Sequence, residues 1–507
     1  MKRREFIQYS GAGIVAAFAT ACTTSQFNLS SVSTERKNDL WQLDGVATAK
    51  LVNQGEISPR ELVLDTFERI SALDKKLGAV SVMDFEGALD RADKIDRTAP
   101  FAGLPLLLKD GTDFDAMNRP HGSKLFAKYK SKGESPIVKR YIELGFNIIG
   151  YSKTPEFNNL TSTEPLYLGP CRNPWNLQKS AGGSTGGGAA AVAAGYLPIA
   201  HGTDGGGSLR IPASFCGVFG FKPSQYRMLS GFLDGSNNQF TQHHALSRSV
   251  RDSASLFALT QNKVNSANLP PLNMVNAPSK QRQRVGVLNT NVFASQPQKN
   301  EQAALEYTSK VLTDLNHVVV PLTLNINGDE FFHHYLSIFG QKLSALLQYV
   351  EKATGVRAED SGLLEPWTIS LTRGIQTRSA NAVEQAQNYI LGLKEQINQQ
   401  MTASKVNILL SPTVPDPIPD LGMIQSNVDY DTLYQRNTQT MSYTCLQNMI
   451  ELPAMSVPLF HGQGGLPVGS HFSAGIGEEN RLFALALELE QAAPWQHRWA
   501  PNSVANI

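Results

Sequence analysis

Two glycine-rich stretches of the chain each present one serine in a setting suited to nucleophilic chemistry. The stretch "HGTDGGGSLRIPASFCG", residues 201–217, places Gly205, Gly206 and Gly207 directly before Ser208. A serine hydroxyl attacks a carbonyl only when a nearby base takes its proton, and closely spaced backbone N–H groups stabilise the oxyanion that forms. Glycines let those N–H groups approach a substrate without obstruction. The run is compatible with a plain turn, or with Ser208 as a nucleophile beside an oxyanion hole.

The second stretch, "SAGGSTGGGAAAVAAG" at residues 180–195, leads into an alanine-rich segment. Residues 186–188 are predicted at a helix N-terminus, where unpaired N–H groups favour developing negative charge. Neither stretch has the GK[ST] ending of a phosphate-binding loop, and no G-x-G-x-x-G follows a strand. "GGSTG" also matches the nucleophile elbow of α/β-hydrolases, which would make Ser184 the nucleophile. The polar "NPWNLQKSA" before Gly182 argues against that alternative, because an elbow follows a strand.

Short apolar runs and amphipathic stretches alternate along the chain and are predicted to position these serines. The runs "FNIIGYS", "RVGVLN", "HVVVPL" and "VNILLSP" are typical of buried strands, and the helical "NEQAALEYTSKVLTDLN" lies between the second and third of them. Ser58 and Glu61 form a capping box with Pro59 at the first helical position. The order strand, helix, strand predicts an α/β fold.

Composition and charge restrict the function classes. The 507 residues carry a formal net charge of +1 and are 41% hydrophobic, which predicts a globular chain without the basic footprint of a nucleic-acid-binding protein. Beyond Cys22 the cysteines are Cys171, Cys216 and Cys445, and no Cys/His spacing indicates a metal site. We therefore expect small-molecule partners, no metal and no nucleic acid.

Several motifs resemble those of one known family. Together with the two glycine-rich stretches, "GLPLLLKD" at 103–110, "RNPWN" at 172–176 and "FGFKPS" at 219–224 resemble the amidase signature family of serine hydrolases. The resemblance extends from about Leu40 to Trp495. It implies the amidase signature fold, an α/β architecture with one large mixed β-sheet covered by helices on both faces. It also implies catalysis without a cofactor.

The resemblance implies a catalytic set of one lysine and two serines. The motif lysine falls on Lys109, the bridging serine on Ser184 and the nucleophile on Ser208, with Gly205, Gly206 and Gly207 forming the oxyanion hole. A lysine acts as a base only when it is neutral, and burial lowers its pKa from about 10.4. Lys109 follows the apolar run "LPLLL", which is consistent with such burial. Ser184 would then relay the proton from Ser208 to Lys109 and return it to the leaving amine.

Residues around this set are expected to support it. In the family the peptide bond before the bridging serine is cis, which here implies a cis bond after Gly183. Asp204 and Arg210 flank the nucleophile and are predicted to hold its loop through hydrogen bonds or an ion pair. Asp110 is predicted either to cap a loop or to orient the site. His201 is predicted to be structural, because the lysine already accounts for the base.

The chain departs from the family pattern at three positions near the site. Thr185 replaces the more usual serine, Gly205 replaces a commoner threonine or isoleucine, and His471 stands where the family often has glutamine. If His471 helps to shape the pocket, substrate preference differs from that of relatives. Residues 230–270 and 325–405 carry little of the shared pattern, and we expect substrate specificity to be decided there.

The first residues of the chain indicate export. "MKRREF" carries Arg3 and Arg4, and the apolar, small-residue stretch "GAGIVAAFATA" follows. Residues 1–21 are therefore interpreted as a twin-arginine signal peptide, the alternative being the N-terminal helix of a cytosolic protein. The apolar stretch is shorter than the roughly 20 residues that span a bilayer.

Processing of this segment has two interpretations. "ATA" at 19–21 matches a signal peptidase site, and the same residues before Cys22 resemble a lipoprotein box, which favours membrane anchoring through a lipid on Cys22. Residues 22–39 are predicted to be a polar tether and residues 40–507 the amidase domain. The predicted location is the periplasm or, for a lipoprotein, the membrane surface of a bacterium.

Three classes of function remain. The first is an exported amidase that hydrolyses a linear or cyclic carboxamide through an acyl-enzyme. The second is an amidotransferase A-type subunit, against which the export signal and the lack of a basic footprint argue. The third is a non-catalytic binding lipoprotein, against which the presence of Lys109, Ser184 and Ser208 argues. The oligomeric state stays open, with a homodimer among the options.

Overall fold

A mixed eight-stranded β-sheet forms the centre of the protein. The computed structural model describes residues 40–235, 240–264 and 268–506. The predicted signal peptide (residues 1–21) and tether (residues 22–39) lie outside the described residues, so export, lipidation and the domain boundary at residue 40 stay predictions. From Trp41 onward the chain forms one compact unit. No helix among the described residues is long and apolar enough to cross a membrane.

The described α-helices are numbered here in chain order. They are α1 Gly45–Asn53, α2 Pro59–Leu77, α3 Phe85–Ala92, α4 Pro136–Glu143, α5 Gly186–Ala193, α6 Arg210–Cys216, α7 Val250–Thr260, α8 Lys299–Asp314, α9 Gly328–Phe339, α10 Leu346–Thr354, α11 Pro366–Gln376, α12 Ala382–Ala403, α13 Tyr430–Thr440, α14 Leu446–Met449 and α15 Glu479–Ala492.

The described strands are numbered in the same way. They are β1 Val80–Met83, β2 Pro105–Lys109, β3 Asn147–Ser152, β4 Arg172–Asn173, β5 Asn176–Ser180, β6 Ile199–Asp204, β7 Phe219–Lys222, β8 Gln242–Ser247, β9 Arg284–Leu288, β10 Val318–Leu322, β11 Ile408–Pro412, β12 Ala454–His461 and β13 Pro467–Ala474. Short 3-10 helices occur at Leu40–Gln42, Glu156–Asn158, Gly340–Leu343, Ala358–Asp360, Gln463–Gly465 and Val504–Asn506.

The large sheet has the strand order β10-β9-β11-β13-β12-β7-β8-β6. The pairs β10/β9 and β9/β11 are parallel, and the remaining pairs are antiparallel, so the sheet is mixed. A three-stranded sheet, β1-β3-β2, and the two-stranded ribbon β4-β5 accompany it. This confirms the α/β fold with a large mixed sheet that the sequence and the family resemblance predict.

Helices cover both faces of the sheet, as predicted. Successive side chains of a strand point to opposite faces, and β13 shows what each face meets. Ser470 Oγ lies 2.6 Å from Thr308 Oγ1 on α8, and Phe472 joins an apolar cluster with residues of α7 and α15. His471 lies between these two residues and points to the opposite face, where its Nε2 is 2.9 Å from a guanidinium nitrogen of Arg210 at the start of α6.

The predicted local elements are largely present. The four apolar runs form β3, β9, β10 and β11, and α8 connects the parallel strands β9 and β10. Ser58 and Glu61 make both hydrogen bonds of the capping box at the start of α2. The prediction of burial is wrong for β10, where Val318 is 47% exposed. β10 is an edge strand, so it lacks a second neighbour to cover it.

The helix after Ser184 begins where the glycines predict. α5 starts at Gly186, and all its residues are buried. A Cβ on Gly187 would lie 2.4 Å from both the carbonyl oxygen of Ala79 and the amide nitrogen of Lys153. Glycine is therefore required there, because backbone from a neighbouring segment occupies the space of a side chain.

Candidate active site

Lys109 is the last residue of β2, and its ammonium group lies in the protein interior. Every residue of this strand is buried, and Lys109 is only 1% exposed. Its Nζ donates to Ser184 Oγ at 2.8 Å, to Thr203 Oγ1 at 2.8 Å and to the Thr203 carbonyl at 3.3 Å. None of these acceptors is charged. Burial lowers the pKa of Lys109 to about 7, and the charge of Asp204 offsets this only in part.

A continuous line of hydrogen bonds connects this lysine to the second serine. Ser184 Oγ lies 2.8 Å from Lys109 Nζ and 3.0 Å from Ser208 Oγ. Ser184 is buried, whereas Ser208 is partly exposed. The peptide bond between Gly183 and Ser184 is cis, as the family resemblance implies. The structure thus brings together the three residues that were predicted to be catalytic.

The glycine run before Ser208 is tightly enclosed by side chains from elsewhere in the chain. A Cβ on Gly206 would lie 2.6 Å from Tyr335 Oη, and one on Gly207 would lie 2.3 Å from Thr444 Oγ1. Gly207 also has a φ of +134°, which favours glycine. Its N–H donates to Asp204 Oδ1 at 2.8 Å. The Gly207 N–H is therefore engaged inside the loop. Of the three predicted oxyanion donors, the N–H groups of Gly205 and Gly206 remain for the substrate oxygen.

Asp204 and Arg210 form the predicted ion pair beneath the loop. Arg210 Nη2 and Nε each lie 2.9 Å from an oxygen of Asp204, and both side chains are fully buried. Burial by itself would raise the pKa of Asp204, but the charge and hydrogen bonds of Arg210 outweigh it and hold that pKa well below its usual range. The carboxylate also accepts from the N–H groups of Gly207 and Leu209. The pair thus fixes both ends of the turn that carries Ser208.

The two other residues considered from the sequence have positions that agree with supporting roles. His201 Nδ1 accepts the backbone N–H of Lys109 at 3.1 Å, and burial lowers its pKa well below the usual value. Asp110 accepts the N–H groups of His121 and Gly122, at 2.7 and 3.1 Å. Burial raises the pKa of Asp110 to about 6, although these hydrogen bonds oppose the rise. Asp110 therefore caps the loop after Lys109.

His471 supports the ion pair, and it is not among the cavity-lining residues. Burial lowers its pKa well below the usual value, so the ring is neutral. A guanidinium can only donate, so Nε2 accepts from Arg210 at 2.9 Å and Nδ1 donates to Ser411 Oγ at 3.1 Å. The side chain that departs from the family pattern therefore contacts Arg210 and is not part of the cavity lining.

Ser208 opens into a cavity of about 340 Å³. Ligand-binding pockets commonly measure about 300–1,000 Å³, so this cavity accommodates a small molecule. Its lining includes Phe232 and His243 from the range 230–270, and Phe332 and Trp367 from the range 325–405. Both segments that were predicted to decide specificity thus contribute to the wall.

Sequence reasoning missed four side chains that contact the site, one of which is Thr444, whose hydroxyl donates to the Gly206 carbonyl. Thr203 Oγ1 binds the lysine, while Tyr335 and Asn448 donate to carbonyl groups of the catalytic loop. Thr203 directly precedes Asp204, but nothing in its local pattern distinguishes it from other hydroxyl residues. Tyr335 and Asn448 are distant in sequence, so no spacing rule could have connected them to Ser208.

Comparison with known proteins shows the family. Residues 61–483 match the family described as Amidase, and the chain belongs to that family. The 6-aminohexanoate-cyclic-dimer hydrolase of Paenarthrobacter ureafaciens is 33% identical over 492 residues, covering 91% of this chain and 97% of the relative. The A-type subunit of the glutamyl-tRNA(Gln) amidotransferase of Thermus thermophilus is 30% identical over 469 residues, covering 89% and 97%.

Solved structures show the same fold. The structure of 6-aminohexanoate cyclic dimer hydrolase complexed with substrate superimposes with a TM-score of 0.82 at 27% identity, covering 91% of this chain and 99% of that one. Family membership and these likenesses identify an amidase signature enzyme, a hydrolase of carbon–nitrogen amide bonds.

Proposed function

We propose that the protein hydrolyses a linear or cyclic carboxamide through an acyl-enzyme formed on Ser208. The observation that carries this proposal is the hydrogen-bonded line from Lys109 Nζ through Ser184 Oγ to Ser208 Oγ, with distances of 2.8 and 3.0 Å. A buried lysine with a pKa of about 7 is neutral in about half of the molecules at pH 7 and can accept a proton.

Acylation begins when Ser208 Oγ attacks the carbonyl carbon of the amide. The Ser208 proton passes to Ser184 Oγ, and the proton of Ser184 passes to the neutral Lys109. Negative charge develops on the carbonyl oxygen, where the N–H groups of Gly205 and Gly206 stabilise it. The lysine proton then returns through Ser184 to the leaving nitrogen, and the C–N bond breaks. An amine or ammonia departs, and the acyl group stays on Ser208.

Deacylation repeats the sequence with water in place of the serine. Water gives a proton to the relay and attacks the acyl carbon, and Ser208 recovers a proton as the carboxylic acid leaves. An amide nitrogen is a poor leaving group until it is protonated. The relay therefore acts first as a base and then as an acid in each of the two half-reactions.

The location and partners of the enzyme are part of the proposal. The Arg3-Arg4 pair and the apolar stretch after it support export, and Cys22 supports attachment of a lipid at the membrane. The substrate is a small-molecule amide, since the cavity is small and the net charge of +1 provides no footprint for nucleic acid. The lack of a basic footprint for nucleic acid also disfavours the amidotransferase alternative.

A fluorophosphonate probe tests which serine attacks. We expect the adduct on Ser208 and no labelling of Ser208→Ala. Ser184→Ala should retain slow labelling, because the nucleophile and the N–H donors remain while the relay is broken. An adduct on Ser184 would overturn the assignment. Release of ammonia or amine from a panel of amides, with glutamine included, distinguishes hydrolysis from amidotransferase chemistry and from simple binding.

A further inference from the structure

The wall of the cavity is dominated by apolar side chains. Aromatic rings from several separate segments line it, among them those of Phe126, Phe157, Phe232, Phe332, Phe339 and Trp367. Aliphatic side chains, Leu371 among them, complete this surface. Such a wall binds the apolar part of a ligand by removing it from water.

The cavity has no charged group available to a charged substrate. Among the described residues that line it, Lys109 and Asp110 are the only lysine, arginine, aspartate or glutamate residues, and the two histidines, His121 and His243, are hydrogen-bonded to Asn158 and His201. Lys109 Nζ is occupied by Ser184 and Thr203. Both oxygens of Asp110 accept backbone N–H groups, and its side chain is fully buried. A charge that enters such a cavity loses its hydration and gains no counter-ion, which is strongly unfavourable.

A carboxylate in the cavity would also interfere with the chemistry. Negative charge near a lysine stabilises its protonated form, and the relay requires a neutral Lys109. An acidic substrate would therefore suppress the base on which its own hydrolysis depends.

We infer that the substrate is an uncharged carboxamide with an apolar aliphatic or aromatic acyl group, and this inference rests on the proposed amidase function. Amides that place a carboxylate or an ammonium group in the cavity are excluded. Free glutamine, which carries both charges, falls in the excluded class.

Three p-nitroanilides test the inference: those of hexanoic acid, 6-aminohexanoic acid and adipic acid. They share the scissile bond and the chain length, and they differ in the terminal group, which is neutral, cationic or anionic. We expect kcat/KM for the hexanoyl compound to exceed the other two by at least tenfold at pH 8.

Fluorophosphonate labelling of the same preparation separates this inference from the proposed function. If Ser208 reacts and a charged compound is hydrolysed as fast as the hexanoyl compound, the inference is wrong and the proposed function stands. If Ser208 reacts and the hexanoyl compound is not hydrolysed, the inference is wrong as well. If Ser208 does not react with the probe, the proposed function itself fails.

An independent observation concerns the carbonyl groups of residues 204 to 206. Each accepts a hydrogen bond from a different side chain outside the glycine run. The Asp204 carbonyl accepts from Asn448 Nδ2 at 3.0 Å, and the Gly205 carbonyl accepts from Tyr335 Oη at 3.0 Å. The Gly206 carbonyl accepts from Thr444 Oγ1 at 2.7 Å. Three consecutive peptide groups are thus anchored on their carbonyl side.

Anchoring a carbonyl group also orients the next N–H group. The peptide unit is planar, and in its trans form the C=O and the following N–H point in opposite directions. The Tyr335 hydrogen bond therefore sets the direction of the Gly206 N–H, and the Asn448 hydrogen bond sets that of Gly205. A hydrogen bond to the carbonyl also polarises the peptide unit and strengthens its N–H as a donor.

We propose that Tyr335, on α9, is a positioning residue for the oxyanion hole. Its hydroxyl is buried, and burial raises its pKa well above the usual value, so the group stays protonated and keeps donating to Gly205. Asn448 acts on the neighbouring unit, but it also binds Asp204 and Arg210, so its substitution would disturb the ion pair as well.

The test is Tyr335→Phe, with Tyr443→Phe as the matched control. Tyr443 is also buried, it does not line the cavity, and its hydroxyl makes no hydrogen bond in the part of the chain that the structure describes. We expect Tyr335→Phe to lower kcat about tenfold, less than the roughly 10²–10³-fold loss of a direct oxyanion donor. KM should change less than twofold, and Tyr443→Phe should leave kcat within twofold.

Binding of an alkylboronic acid provides the second measurement, because its tetrahedral adduct on Ser208 places an oxygen in the oxyanion hole. Affinity for the boronic acid should fall by the same factor as kcat in Tyr335→Phe and stay unchanged in Tyr443→Phe. An unchanged kcat would overturn the proposal. A lower kcat with unchanged boronic acid affinity would do the same, since it would show that Tyr335 acts elsewhere.

Discussion

Replacing Lys109 by methionine should make the folded protein more stable near neutral pH and abolish its activity. The pKa of Lys109 falls from 10.5 to about 7 because the side chain is buried. At about 1.4 kcal/mol per pKa unit, keeping this lysine costs roughly 5 kcal/mol of folding free energy when the unfolded chain is protonated. Methionine has a similar shape and no charge to bury.

The hydrogen bonds lost in the variant reduce this gain. Ser184 and Thr203 both lose a donor, at about 1 kcal/mol for each hydrogen bond. At pH 7.5, about three units below the ordinary pKa of lysine, the cost of keeping Lys109 neutral is about 4 kcal/mol, so the variant should be more stable than the wild type by about 2 kcal/mol. Amide hydrolysis should be lost at the same time, since Lys109 is the only base hydrogen-bonded to Ser184 Oγ among the described residues.

The pH dependence isolates the titration of Lys109 from these lost contacts. A group whose pKa is lower in the folded state than in the unfolded state makes stability rise with pH between the two values. The wild type should thus gain about 1.4 kcal/mol per pH unit relative to Lys109→Met as the pH rises from 7 towards 10.5. Between pH 7.5 and 9.5 the advantage of the variant should disappear and reverse.

Urea unfolding of both proteins at pH 7.5, 8.5 and 9.5 measures this difference. Lys222→Met is the matched control, because burial also lowers the pKa of Lys222 to about 7, while its Nζ donates to the carbonyl of Pro223 and not to a serine. That variant should show the same pH trend in stability and retain amide turnover. A stability difference between wild type and Lys109→Met that does not change with pH would refute the reasoning, because it would mean that Lys109 stays charged in the folded protein.

Further predictions concern the rate, the ion pair and export. Because Lys109 has to lose its proton, kcat/KM for an amide should rise with pH with a midpoint near 7; a midpoint above 9 in steady-state assays would contradict this. Arg210→Met leaves the buried carboxylate of Asp204 unpaired and should destabilise the fold by about 3–5 kcal/mol in urea unfolding, so a loss below 1 kcal/mol would count against the pair. Replacing Arg3 and Arg4 by lysine should keep the precursor in the cytoplasm on cell fractionation, and unchanged export would discard the twin-arginine interpretation.

Local features of the chain were readable from the sequence because they depend on neighbouring residues. The capping box at Ser58 requires a hydroxyl and a carboxylate three residues apart, and α5 starts at the glycine run that predicts it. The strands β3, β9 and β11 follow from short apolar runs. Exposure of β10 could not be read in this way, because it depends on which strand lies at the edge of the sheet.

By itself the sequence determined which residue types were available for chemistry and in which local setting. It indicated Lys109, Ser184 and Ser208, and it placed the last of these after three glycines. Only the tertiary structure decided that the Gly207 N–H is bound by Asp204, and that Tyr335 anchors the loop from 130 residues away. Short-range hydrogen bonds and apolar periodicity leave a pattern in the chain. A contact between distant segments is created by their packing, and it exists only once the sheet and its helices have brought them together.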